Sequence, residues 1–228
     1  MGSPQFKRPE WLIEVLFNFI NVTVLNYLVF GINNTMEKLN RAFELFDSYN
    51  KQDPRKLSVD GTEFPAEYFY ALQLYNWIKK LAPEAGESLL LASRCQHLGR
   101  WKISRDQYPA GKAGYLKWRT DLASFHADTA EELLKQGGYS ENEIKQVRHI
   151  LLKENLKSDD EVQIMENALC LVFLEFQYEE FISKHDEEKV IRILRKSWKK
   201  MSEPGRSAAT TLNYSPIGQA LLTKALNG

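Results

Sequence analysis

After Met36, apolar residues return at three- and four-residue steps almost to the end of the chain, the spacing that lays one face of an α-helix on a core. Leu39, Phe43, Phe46 and Tyr49 make the first stripe. Residues 50–61, with Pro54, read as a polar loop. Pro65 can open a second helix from its first turn. Tyr68, Ala71, Leu72, Tyr75, Ile78 and Ala82 form its stripe, and Pro83 stops it. A third helix is expected over roughly 84–99, with Cys95 and Leu98 inward and His97 near its end. Residues 100–112 read as a loop, closed by Pro109, Gly111 and Gly114. A long helix over about 113–136 follows, with Tyr115, Trp118, Leu122, Phe125 and Leu133 in its stripe and Gly137-Gly138 at its end.

Ser140 with Glu143, and Ser158 with Glu161, have the spacing of capping boxes, in which the hydroxyl and the carboxylate satisfy orphan backbone N–H groups. The first opens a helix with Ile144, Val147 and Leu151. The second opens one with Val162, Met165, Leu169, Val172 and Phe176. Ala168 to Phe176 is apolar on nearly every side apart from Glu175, which predicts the central buried helix. Asp186 caps a further helix, with Glu187 and Glu188 in its first turn and Lys199 and Lys200 in its last, as the helix dipole favours. Pro204-Gly205 ends it, and Ser215-Pro216 starts a short closing helix. Period-two alternation, a nucleotide-type glycine fingerprint and a P-loop are absent from the sequence. The expectation is an all-α fold, a compact bundle of seven or eight helices, over residues 36–228.

Residues 1–35 form an N-terminal extension around the apolar segment 11–32. That segment has the length of a bilayer span, about 20 residues, and Glu14 is its only formal charge. Asn18, Asn21, Thr23 and Asn26 interrupt it, and each would need a partner in lipid. Three readings stand: a membrane anchor, a helix packed on the domain or on a partner, and an extension upstream of the natural protein.

Charge changes the picture locally. The chain carries 30 Lys+Arg and 30 Asp+Glu, so it lacks the overall basic balance of a generic polyanion binder. Residues 94–126 depart from this balance: seven cations stand against Asp106 and Asp121 alone. Arg94, Arg100, Arg105, Lys112, Lys117 and Arg119, with Trp101 among them, are the candidate anion-binding set. Guanidinium forks suit phosphate oxygens, and the aromatic side chains can wall a pocket. Arg94 and His97 are expected on one helix face, and Arg119 and His126 on one side of the next long helix. Lys112 falls at that helix's N-terminus, where backbone N–H groups favour an anion. His97 and His126, with Glu166 or Asn167, form the candidate ligand set for a divalent metal, although no short metal spacing such as HExxH occurs. The two cysteines, Cys95 and Cys170, read as reduced core residues. His149 reads as exposed, His185-Asp186 as a loop and N-cap, and the Arg195/Lys196 and Lys199/Lys200 pairs as a solvated face.

Several runs carry a resemblance. Arg94-Cys95-Gln96-His97-Leu98-x-Arg100-Trp101 is one, and Gly114 to Leu122 with Phe125-His126-Ala127 is another. Cys170 to Glu175, Lys184-His185-Asp186 and Arg195 to Ser202 complete the pattern. Over about residues 36–226 the chain resembles the domain-of-unknown-function family numbered four-two-zero-two. More distantly, the helical order resembles the HD superfamily of metal-dependent phosphohydrolases. That likeness implies an HD-like bundle with Gln96-His97 where His-Asp usually stands and Asn167 where a carboxylate ligand would be. An amide oxygen is a weaker metal ligand than a carboxylate, so a standard metal centre is not implied.

The leading expectation is a soluble, cytoplasmic helical domain with a basic, aromatic pocket for a phosphate-bearing small ligand, with phosphohydrolysis as the reaction class. In that reading Arg94, Arg100, Arg105 and Arg119 neutralise phosphoryl oxygens, while His97 and His126 hold a metal or handle a proton. The alternatives are a non-catalytic module that binds RNA or a protein through the same patch, and a scaffold held at a membrane through residues 11–32.

Overall fold

A computed structural model describes residues 35–227. The apolar segment 11–32 lies outside the described residues; among those described, no helix is long and apolar enough to cross a membrane. The chain divides into two units at Arg41/Ala42. Residues 35–41 of the first unit are helical, and residues 42–50 of the second are helical; this stretch is labelled α1. The fold is all-α, with ten helices and one small hairpin among the described residues.

The hairpin sits in the stretch expected to be a polar loop. β1 (Lys56–Val59) pairs antiparallel with β2 (Thr62–Pro65) around Asp60-Gly61. Both turn residues have positive φ, 49° and 78°, as a two-residue primed turn requires. The strands are four residues long, with half of their residues exposed and none buried, too short for alternation to stand out. Helices α2 (Ala66–Leu81) and α3 (Glu87–Cys95) follow. The third helix therefore ends four residues early, and His97 stands in the turn after it, before Gly99 at φ 67°. A Cβ at Gly99 would lie 2.8 Å from the Phe125 ring, so only glycine allows this close crossing. Two short 3-10 turns, Arg100–Lys102 and Arg105–Gln107, lead to α4 (Gly111–Gln136).

The Ser140 capping box opens α5 (Glu141–Leu151) as expected: Ser140 Oγ accepts from the Glu143 N–H and Glu143 accepts from the Ser140 N–H. The second box is displaced by one residue. Asp159 caps α6 (Asp160–Phe176), accepting from the Val162 N–H, while the Ser158 hydroxyl donates to Asn155 O. A carboxylate is the stronger acceptor for an orphan N–H, and here it stands one place nearer the helix. Helix α6 is the central one, with Val162, Met165, Ala168 and Leu171 fully buried and α2, α5, α8 and α9 packed around it.

Two short helices carry no separate signature in the sequence. α7 (Tyr178–Lys184) turns off the end of α6 at Gln177. α8 (Glu187–Lys200) is capped by Asp186 and ends before Pro204, which sits in the first turn of α9 (Glu203–Thr210). Pro204 thus opens a helix instead of ending one, as proline's fixed φ and missing N–H allow. Ser215 caps α10 (Pro216–Leu226), which lies on α8. Cys95 and Cys170 are free and buried.

Candidate anion-binding site

Asp53, in the loop before the hairpin, organises one wall. It is buried, and its carboxylate accepts from the backbone N–H groups of Arg55 and Glu67 and from the Arg55 guanidinium at 2.8 Å. Helix α2 has no side-chain cap of its own, so Asp53 supplies one from outside the helix. The same contacts fix Glu67, which receives Arg55 Nη2 at 2.7 Å and has Arg100 Nε at 3.8 Å and His97 Nδ1 at 3.9 Å. Burial pushes the Glu67 carboxyl above its ordinary range, against the pull of Arg100 and Arg55.

The opposite wall comes from the α5–α6 connection. Lys153, Asn155 and Lys157 all have positive φ, and this tight left-handed path carries Lys153 inward. Lys153 pairs with Glu166 on α6, and Lys200 at the end of α8 reaches the other oxygen of the same carboxylate at 2.9 Å. Glu166 is 2 % exposed. Burial alone would raise its pKa, but Lys153 and Lys200 together hold it below the ordinary value.

Between these walls lies a cleft of about 450 Å³. Arg55, Arg100, Arg119, Lys153, Lys184 and Lys200 line it, with Glu67, Glu166 and Glu180. Tyr70, Leu74, Phe173 and Phe181 give it an apolar side. Arg119, on α4, has no ion-pair or hydrogen-bond partner among the described residues. A smaller cleft of about 370 Å³ adjoins it, sharing His97, Arg100, Arg119 and Lys153 and adding Gln96, Thr120 and His126.

The structure separates the sequence-predicted set. Arg100, Arg119, His97 and Glu166 line the cleft, and His126 lines its neighbour. Arg94 does not share a face with His97: it is buried, pairs with Asp47 and stacks on Phe43 at 4.8 Å. Arg105 donates to the carbonyls of Tyr108 and Pro109 and so closes its own loop. Lys117 pairs with Asp121 one turn on, Lys112 is exposed, and Trp101 packs beside Tyr49. Sequence reasoning missed Arg55, Glu67, Lys153 and Lys184, and placed Lys200 on a solvated face. For Lys200 no periodicity could have told the two apart, because a lysine in a last helical turn satisfies the dipole either way.

No group of three or more His, Cys, Asp or Glu side chains among the described residues is placed to hold a metal. The candidate metal residues have other work. Glu166 is held by two lysines. The Asn167 carbonyl oxygen accepts from the Ser202 N–H at 2.9 Å, and its amide donates to Ser202 Oγ, which pins the start of α9. A Cβ at Gly205 would meet the Asn167 side chain at 2.7 Å, so α9 approaches α6 closely there. His126 donates from Nδ1 to Leu98 O at 2.7 Å. Burial pushes its pKa down to about 4. His97 falls well below its ordinary value, through burial and then the neighbouring Arg100. Both rings are neutral at pH 7.

His149 behaves oppositely. It is half-buried, with Nδ1 3.0 Å from Glu154 and Nε2 3.0 Å from Asp159, so it ties together the loop that delivers Lys153. These two carboxylates, Glu154 first, raise its pKa. The pH dependence of stability follows from the signs. His97 and His126, lowered on folding, cost stability as pH falls below about 6.5, where the unfolded chain takes up their protons. His149, raised on folding, stabilises fully below about 6.5 and loses that contribution as pH rises through its folded value. Melting temperature should therefore decline on both sides of neutrality. His149→Gln should flatten only the alkaline limb, and an unaltered limb would show that the clamp carries no weight.

An all-α domain with a recessed, cation-lined cleft is the class of protein these features define. Within that class the family model described as "Domain of unknown function (DUF4202)" matches residues 40–222. The chain belongs to that family. No curated protein and no solved structure matched the chain.

Proposed function

We propose that this chain binds a phosphate-bearing small ligand in the cleft between α2, α4, α6 and α8, and that phosphate-ester hydrolysis is the reaction class the cleft suits. One observation carries the reading. Six cations line the cleft against three carboxylates, with Asp53 behind Arg55 as a fourth, which leaves an excess of two positive charges. A phosphate monoester carries about that charge in the opposite sense at neutral pH. Arg119, without a counter-ion of its own, and Arg100 beside it are the groups to receive the phosphoryl oxygens, with Lys153 as a further point charge. Glu67, an ionised carboxylate whose proton affinity burial has raised, is the cleft group suited to accept a proton from an attacking water. The HD-type resemblance points to the same reaction class, but its metal ligands do not fit the residues present, so the chemistry is assigned to side chains alone.

An RNA-binding module is less well supported. An extended polyanion needs cations spread over an open face, whereas Arg105, Lys112 and Lys117 are dispersed or paired and the unbalanced charge sits in a recess. Titration calorimetry of the full chain with ribose 5-phosphate at 50 and 200 mM salt separates the two. One site per chain with roughly tenfold weakening or less is expected. Tight single-stranded RNA binding that falls about a thousandfold over that range, with no ribose 5-phosphate binding, would favour the polyanion reading.

A further inference from the structure

The smaller cleft beside the cations holds two buried acceptors with nothing to accept from. His126 is 3 % exposed and Gln96 is 6 % exposed. Among the described residues, His126 Nε2 and Gln96 Oε1 are sealed from solvent and have no hydrogen-bond partner. Their other ends are committed: His126 Nδ1 to Leu98 O, and Gln96 Nε2 to Leu151 O at 3.4 Å. Those bonds fix which atoms remain. The imidazole must carry its proton on Nδ1, because a carbonyl can only accept, and this leaves a bare lone pair on Nε2. The amide, donating from nitrogen, leaves its oxygen. Unsatisfied buried acceptors cost about 1–3 kcal/mol each, so two lining one cleft call for a donor that the folded chain itself does not provide.

The surroundings decide what kind of donor. Arg100, Arg119 and Lys153 line this cleft as well as the larger one. A protonated amine or a metal ion would enter against three positive charges. A neutral hydroxyl would not, and it can accept from a guanidinium while it donates to Gln96 or His126. We infer that the smaller cleft is a hydroxyl-recognition subsite, and that the ligand is a phosphorylated polyol or sugar whose phosphate rests among the shared cations while its hydroxyls donate to Gln96 Oε1 and His126 Nε2. This rests on the phosphate-binding reading above and narrows it to a substrate class. Arg119, which no partner holds, is the side chain freest to turn aside and admit the ligand's hydroxyls.

A matched pair of ligands tests this on the full native chain. Ribose 5-phosphate and tetrahydrofurfuryl phosphate share a five-membered ring oxide and a phosphate, but only the first carries ring hydroxyls. Calorimetric titration should show ribose 5-phosphate binding at least about tenfold more tightly, because a site built around hydrogen bonds leaves its own groups unpaired with the bare analogue. Gln96→Met keeps the side-chain length and removes the acceptor; it should narrow that ratio by about threefold or more while the phosphate end still binds. His126→Leu should narrow it further, and circular dichroism confirms which variants are folded. Equal affinity for the two ligands, or an unchanged ratio in folded Gln96→Met, overturns the hydroxyl subsite and leaves phosphate binding standing. Failure of both ligands to bind overturns the subsite and the parent reading together.

Discussion

Replacing Arg119 by alanine is expected to abolish the proposed phosphate-ligand binding while leaving the fold intact. Arg119 stands on the exposed side of α4, lines both clefts and has no partner among the described residues, so its loss leaves no buried charge uncompensated. Other cleft cations are already engaged: Arg55 with Asp53 and Glu67, and Lys153 and Lys200 with Glu166. A bidentate guanidinium–phosphate contact contributes about 1.5–3 kcal/mol per charge-assisted bond, so two such bonds make the expected loss of affinity about a hundredfold or more. The melting temperature should move by less than about 2 °C, as for an ordinary surface substitution. Calorimetry and a thermal melt on the same preparation check both halves. Unchanged affinity in a folded Arg119→Ala variant would remove the cleft's central cation from the account.

Arg94→Ala should do the reverse. Seen in sequence, Arg94 looks like another phosphate ligand three residues before His97. In the fold it is 7 % exposed, paired with Asp47 and stacked on Phe43. Removing it leaves Asp47 without its cation and opens a hole beside an aromatic ring. Breaking a buried pair in this way costs about 3 kcal/mol or more, although the partial exposure of Asp47 keeps the figure at the lower end. For a chain of this size that corresponds to about 6–12 °C in melting temperature. The folded fraction should bind ribose 5-phosphate with native affinity. A stable variant with lost binding would restore Arg94 to the site.

These two arginines show what the sequence makes legible. Periodicity places helices well where one face is buried, as along α2 and α6, and a local motif such as Ser140 with Glu143 reports its own geometry because both partners lie within one turn. It also locates the basic stretch from which Arg100 and Arg119 come. It does not say which cations in that stretch are consumed. Arg105 spends its charge on nearby carbonyls, Lys117 on Asp121 and Arg94 on Asp47, 47 residues away. The missing half of the site has a different cause. Arg55 and Glu67 are positioned by Asp53, whose hydrogen bonds span a hairpin with no periodic signature. Lys153 enters through a connection with three non-glycine residues at positive φ, a backbone path that residue types do not announce. Asn167 looked like a weakened metal ligand because its neighbours fit a pattern; its real contacts, to Ser202, belong to helix packing 35 residues further on.

By its charge, the recess with two excess positive charges is expected to take one phosphate group. Native mass spectrometry of the full chain, equilibrated with ribose 5-phosphate, reads this stoichiometry. A single stoichiometric adduct is expected on the native protein, and none on Arg119→Ala. A bare protein mass at saturating ligand, or an equal adduct on both proteins, would rule out this cleft as the phosphate site.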